Sequence, residues 1–112
     1  VARRYADELA GRLDVAVLGM GPDGHVASLF PDRPASTKGL VAFVPDAPKA
    51  PSRRITLTRA ALATARHTLL VAVGEEKRAA LERLYAGAPR LAATGLPGLV
   101  VVTDLEPGGE LR

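Results

Sequence analysis

Three stretches of this chain are apolar without a break: Val15-Ala16-Val17-Leu18, Leu69-Leu70-Val71-Ala72-Val73 and Leu99-Val100-Val101-Val102. A strand with one wet face alternates apolar and polar residues. A run with no polar member suits a parallel sheet covered on both faces. Parallel strands cannot be joined by tight turns and need crossovers, usually helical. The intervening sequence supplies candidates. Residues 2–13 place Ala2, Tyr5, Ala6, Leu9, Ala10 and Leu13 at helical spacing. Thr58 can cap a helix over 59–66. Residues 75–86 carry Ala80, Leu81, Leu84 and Tyr85 on one face, with Glu75 and Glu76 at the favourable end of the macrodipole. The reading is an α/β fold: a parallel-sheet sandwich with helices on both faces, three-layered and Rossmann-like, with strands over 14–18, 67–73 and 99–103.

The chain has 112 residues, enough for one α/β domain over 1–112. Three such strands make a thin sheet, and a chain of this length leaves part of its apolar surface uncovered. The first residue, Val1, falls inside the helical pattern, with no N-cap residue before it. The expectation is a C-terminal fragment of a larger domain, whose missing N-terminal half, or another chain, completes the sheet.

Composition excludes several functions. There is no Cys, hence no disulfide and no thiolate metal site. No apolar run approaches the ~20 residues of a membrane span, and no secretory leader is visible. The net charge of +3 is mild and spread along the chain, without the aromatic interleaving of a nucleic-acid surface. A cytoplasmic protein acting on a small molecule, with no nucleic acid, membrane, metal or cofactor, is expected.

Between the first two runs lie the less regular parts. Residues 25–30 have room only for a short helix before Pro31. Residues 31–39 read as loop, 40–44 as a strand, and 54–57 as another. Between those strands, Pro45, Pro48 and Pro51 enforce extended backbone.

The first strand ends in Gly19-Met20-Gly21-Pro22-Asp23-Gly24-His25. In open α/β sheets ligands bind beyond the carboxyl ends of strands. Taken literally, residues 19–24 match a dinucleotide fingerprint. That fingerprint needs a helix running from its third glycine, which Pro31 cuts short, and an acid about 20 residues on, where Asp46 lies among prolines instead. Asp23-Gly24-His25 offers different chemistry: an imidazole as general base and a carboxylate to fix its tautomer. The pattern equally allows Asp23 to cap a helix beside a surface His25. His67, opening a strand, reads as structural. Lys49 in the proline segment, Arg54 at a strand start and Lys77 in a first helical turn are cations placed to hold an anion, although Lys77 also suits a solvated helix face.

Leu18-Gly-Met-Gly-Pro-Asp-Gly-His-Val-Ala-Ser-Leu-Phe-Pro31 closely resembles the signature of the 6-phosphogluconolactonases. Pro48-Lys-Ala-Pro-Ser-Arg-Arg-Ile-Thr-Leu-Thr58 resembles that family's second signature, and Ala65 to Lys77 its third conserved stretch. The resemblance covers nearly the whole chain but only about the C-terminal half of the family. Glucosamine-6-phosphate deaminases share the Asp-Gly-His element, while Ala27-Ser28-Leu29-Phe30 is similar to the lactonase branch. The resemblance implies hydrolysis of 6-phosphoglucono-δ-lactone in the oxidative pentose phosphate pathway, without nucleotide or metal. It implies that His25 activates water and that Asp23 supports it. Gly21, Gly24, Lys49, Arg54 and Lys77 would bind substrate, with loop N–H groups stabilising the oxyanion. Weak or no turnover is expected of the 112-residue chain by itself. A deaminase-like isomerase and a non-catalytic sugar-phosphate-binding module are the competing expectations.

Overall fold

The computed structural model describes Arg4, residues 13–31 and residues 39–105. The expected helix over 2–13 and the tail after 105 lie outside the described residues, apart from Arg4 and Leu13. Among the described residues five strands form: β1 (Val15–Gly19), β2 (Val41–Val44), β3 (Arg54–Leu57), β4 (His67–Ala72) and β5 (Leu99–Thr103). The three apolar runs become β1, β4 and β5, a parallel sheet in the order β1-β4-β5. Val15 pairs with His67, and Thr68 with Leu99. This is the α/β parallel-sheet class expected.

The strands at 40–44 and 54–57 do not join that sheet. β2 and β3 pair antiparallel with each other, Val41 against Leu57 and Val44 against Arg54. The proline segment between them folds back on itself, with the Ala47 amide donating to Ser52 O over 2.8 Å.

The helices are shorter than their apolar patterns. α1 spans Arg59–Leu62, and its N-cap is Thr58, whose Oγ1 accepts from the Ala61 amide at 3.2 Å. Beyond Leu62 the chain continues in turns rather than helix. α2 spans Arg78–Tyr85, preceded by a 3₁₀ turn over Glu75–Lys77. Ala80, Leu81 and Leu84 are buried as expected, but Tyr85 is exposed. No helix forms over 25–30: Ala27 adopts φ 51°, and the chain closes a tight turn in which Val26 bridges Leu29.

One face of the parallel sheet carries Ala16, Thr68, Leu70 and Ala72, all buried. Against it pack α2 and the 88–96 segment, through Leu81, Leu84, Leu91 and Leu96, together with Met20, Val26 and Leu62. Burial of each such aliphatic side chain stabilises the fold by roughly 1.5–3 kcal/mol relative to exposure. The other face carries Val15, Val17, Val71, Val100 and Val102, all exposed, Val17 at 66%. Among the described residues, the strands expected to be covered on both sides are thus covered on one, which is the uncovered apolar surface the strand count implies.

Candidate active site

β1 delivers the chain at Gly19 to the carboxyl edge of the sheet, and the glycine loop begins there. The loop is tied to itself by two backbone bonds. The Gly24 amide donates to Gly21 O over 2.9 Å, and the Gly21 amide donates to His25 O over 2.8 Å. Gly24 has φ 94°, a conformation that favours glycine. The loop is also held from the α2 side. Lys77 Nζ donates to Met20 O at 2.5 Å, and Arg83 donates to Asp23 O at 3.3 Å. Buried Met20 and Val26 anchor the two ends in the core.

This frame sets the Asp23–His25 pair. Asp23 Oδ1 lies 2.6 Å from His25 Nδ1 and also accepts the His25 amide at 3.1 Å. Burial pushes the Asp23 carboxyl up, but the hydrogen bonds from the His25 side chain and backbone, with its charge, outweigh that and hold it below the ordinary value. An ionised carboxylate only accepts, so Nδ1 carries the proton of this bond. In the neutral ring Nε2 then holds the lone pair, the arrangement of a general base. The imidazole remains partly open, with 21% of the side chain exposed. Asp23 caps no helix, because none follows.

Phe30 is a member of the site that sequence reasoning passed over. It is buried, its ring centroid is 4.7 Å from that of His25, and Arg54 Cζ lies 5.5 Å from it. Arg54 is fixed on its other side by carbonyls of the proline segment: Nε donates to Pro51 O at 2.8 Å, and NH2 donates to Lys49 O at 3.1 Å and Ala50 O at 3.3 Å. His25, Phe30 and Arg54 thus form a contiguous set, and the backbone of Lys49 is joined to it through Arg54. The Lys49 side chain is exposed. Thr56 of β3 links the hairpin to the loop, its Oγ1 accepting from the Ser28 amide at 2.9 Å.

Two expectations change in kind. The amides of Gly21 and Gly24 are both engaged inside the loop, so neither serves as a ready oxyanion donor, and these glycines act through shape. Lys77 spends one of its three donors on Met20 O, so it anchors the loop as well as lying near it. His67 opens β4 on the exposed face, away from the core. A cavity of about 390 Å³ lies beside the site, lined by Leu29, Phe30, Arg59, Arg90, Leu91 and Thr94 among others. It shares only Phe30 with the His25 set, so it is a neighbour of the dyad and not its opening. Arg59 is occupied there, donating to Ala92 O and Thr94 O. Among the described residues no three His, Asp or Glu side chains gather.

Sequence and structure comparisons agree on one group of proteins. The family described as glucosamine-6-phosphate isomerases/6-phosphogluconolactonase matches residues 1–103. The 6-phosphogluconolactonase of Mycobacterium tuberculosis is 40% identical over 110 residues, covering 91% of this chain and 44% of that protein. The human 6-phosphogluconolactonase is 48% identical over 73 residues, 63% of this chain and 28% of that protein. The crystal structure of 6-phosphogluconolactonase from Thermotoga maritima superposes with a TM-score of 0.77 at 31% identity, covering 91% of this chain and 49% of the other. The chain spans less than half the length of these curated relatives.

Proposed function

This chain belongs to the glucosamine-6-phosphate isomerase/6-phosphogluconolactonase family, and on that premise we propose that it carries the catalytic base and part of the substrate site of a 6-phosphogluconolactonase. The observation that carries the proposal is the 2.6 Å contact between Asp23 Oδ1 and His25 Nδ1, on a loop held in place by Lys77. In the reaction, His25 Nε2 takes a proton from water as the water oxygen bonds to C1 of the lactone. The tetrahedral intermediate collapses by breaking the bond from C1 to the ring oxygen. That oxygen leaves as the C5 hydroxyl, taking the proton held on His25 Nε2 and so restoring the base, and 6-phosphogluconate remains. Asp23 holds the ring in the needed tautomer and stabilises the transient imidazolium. A positioned base of this kind contributes about 10²–10⁴-fold.

Arg54, Lys49 and Lys77 are the proposed contacts to the phosphate and sugar oxygens. Arg54 suits an anion best, because its guanidinium is already immobilised by the Lys49, Ala50 and Pro51 carbonyls and loses little freedom on binding. Residues 1–112 are proposed to form one α/β unit whose bare valine face is covered in the working enzyme by further protein. The proposed location is the cytoplasm. No helix of the described residues is long and apolar enough to cross a membrane.

The test is a set of three assays on the purified chain: hydrolysis of 6-phosphoglucono-δ-lactone, ammonia release from glucosamine 6-phosphate, and titration with 6-phosphogluconate. Saturable binding of 6-phosphogluconate with lactone hydrolysis, however slow, supports the proposal. Ammonia release overturns it in favour of a deaminase. Saturable binding with no hydrolysis, even after the N-terminal half of a homologous lactonase is supplied, reduces the chain to a binding module.

A further inference from the structure

The chain has two Phe and two Tyr, and one of these four rings is buried against the candidate base. Phe30 is 7% exposed although it lies in irregular chain just past the glycine loop. The His25 imidazole packs on its ring at 4.7 Å with a 39° tilt, and the Arg54 guanidinium lies 5.5 Å from the same centroid. Asp23 fixes the imidazole through Nδ1, but a single hydrogen bond leaves the ring free to swing about that contact. Packing on Phe30 removes that freedom. The carbonyls of Lys49, Ala50 and Pro51 hold Arg54 on its far side, and the quadrupole of Phe30 attracts it on the near side.

We propose that Phe30 is a positioning residue: one aromatic ring that sets both the aim of the His25 imidazole and the place of the Arg54 guanidinium. The proposal rests on the lactonase reading for its substrate, a sugar phosphate with an anionic end and an electrophilic carbonyl. Such a substrate needs cation and base at a set separation, because misplacement of about 1 Å can cost as much as 10²-fold in rate. A shared ring maintains that separation better than two independent supports, since neither group can shift without disturbing the other. Leu in its place fills much of the volume but offers no aromatic face to either partner.

The experiment uses the full chain with Phe30→Leu and Phe30→Tyr, read in two ways. The first reading is the ring C–H spectrum of His25 by NMR, which needs no substrate. Phe30→Leu is expected to move the His25 ring signals by removing the aromatic ring current, while Phe30→Tyr leaves them near their parental positions. The second reading is affinity for 6-phosphogluconate. Phe30→Leu is expected to weaken it about 10-fold, Phe30→Tyr to restore it, and Phe30→Leu to cost much less in an Arg54→Ala background. His25 signals unchanged by Phe30→Leu, or an affinity loss that is the same with and without Arg54, overturns the proposal. A parental chain that does not bind 6-phosphogluconate even after the N-terminal half of a homologous lactonase is supplied, while its His25 signals still respond to Phe30→Leu, overturns instead the lactonase reading and the substrate role with it.

Discussion

Gly21 and His25 occupy each other's space. A Cβ added to Gly21 would lie 2.2 Å from His25 Cε1 and 2.3 Å from Nδ1, and 2.9 Å from Asp23 Oδ1. Atoms that close cannot coexist, so Gly21 exists in this loop for the ring that rests on it. Gly21→Ala must push the imidazole off its carboxylate. In the chain joined to the N-terminal half of a homologous lactonase, we expect lactone hydrolysis to fall about 10²-fold or more, the scale of losing a general base. The strand below is untouched, so the circular dichroism spectrum should keep its parental form. Full activity in Gly21→Ala would show that the ring works elsewhere.

Asp23 predicts a pH effect with a definite sign. Its folded-state carboxyl is held below the ordinary value, about 3.9 in an unfolded chain. The stabilisation is therefore fully present above that ordinary value and is lost as pH falls through the folded-state value. Glu75, held low by its hydrogen bond from Arg78, acts in the same direction. In urea unfolding between pH 2.5 and 7, Asp23→Asn should be less stable than the parent at neutral pH and converge on it in acid. A constant gap across the range would contradict this.

Lys77 gives a prediction about the loop. Its ammonium holds Met20 O from the α2 side, 57 residues along the chain. Lys77→Met keeps the length of the side chain and removes the donors. We expect faster amide hydrogen exchange at Gly21 and Gly24 with the sheet amides of β4 unchanged. Equal exchange at the loop would mean that Lys77 anchors nothing.

Leu70 tests the core. It is fully buried at the centre of β4, between Leu18 and Val101 in the ladder. Leu70→Ala should destabilise the fold by about 2–5 kcal/mol in denaturant unfolding, the usual cost of such a cavity. A loss below about 1 kcal/mol would mean that this face is not the packed one.

The parts legible in the sequence were those governed by local pattern. The unbroken runs ending at Leu18, Val73 and Val102 marked the parallel strands, and Thr58 marked a helix start through its own hydroxyl. Asp23 and His25 stood out because they flank Gly24 on one turn, but the pattern equally allowed a helix-capping Asp23 beside a surface His25, and only the 2.6 Å contact joins them. Part of what stayed hidden depends on distant partners. The antiparallel pairing of β2 with β3 is a contact between Phe43 and Ile55 that no local pattern records. Only a short helix over 25–30 had room before Pro31, yet Asp23 captures the His25 amide and Ala27 turns left-handed, so even its first turn never forms. Arg83 reaches the loop across 60 residues, and its spacing from Lys77 gave no sign of a shared target. Phe30 was visible only as part of a motif, because stacking on His25 is a tertiary fact.

The central claim is that His25 is the base. The most direct measurement joins this chain to the N-terminal half of the Thermotoga maritima lactonase and compares lactone hydrolysis with and without His25→Ala. We predict a loss of about 10²-fold or more, with affinity for 6-phosphogluconate largely kept. An unchanged rate in His25→Ala would contradict the account.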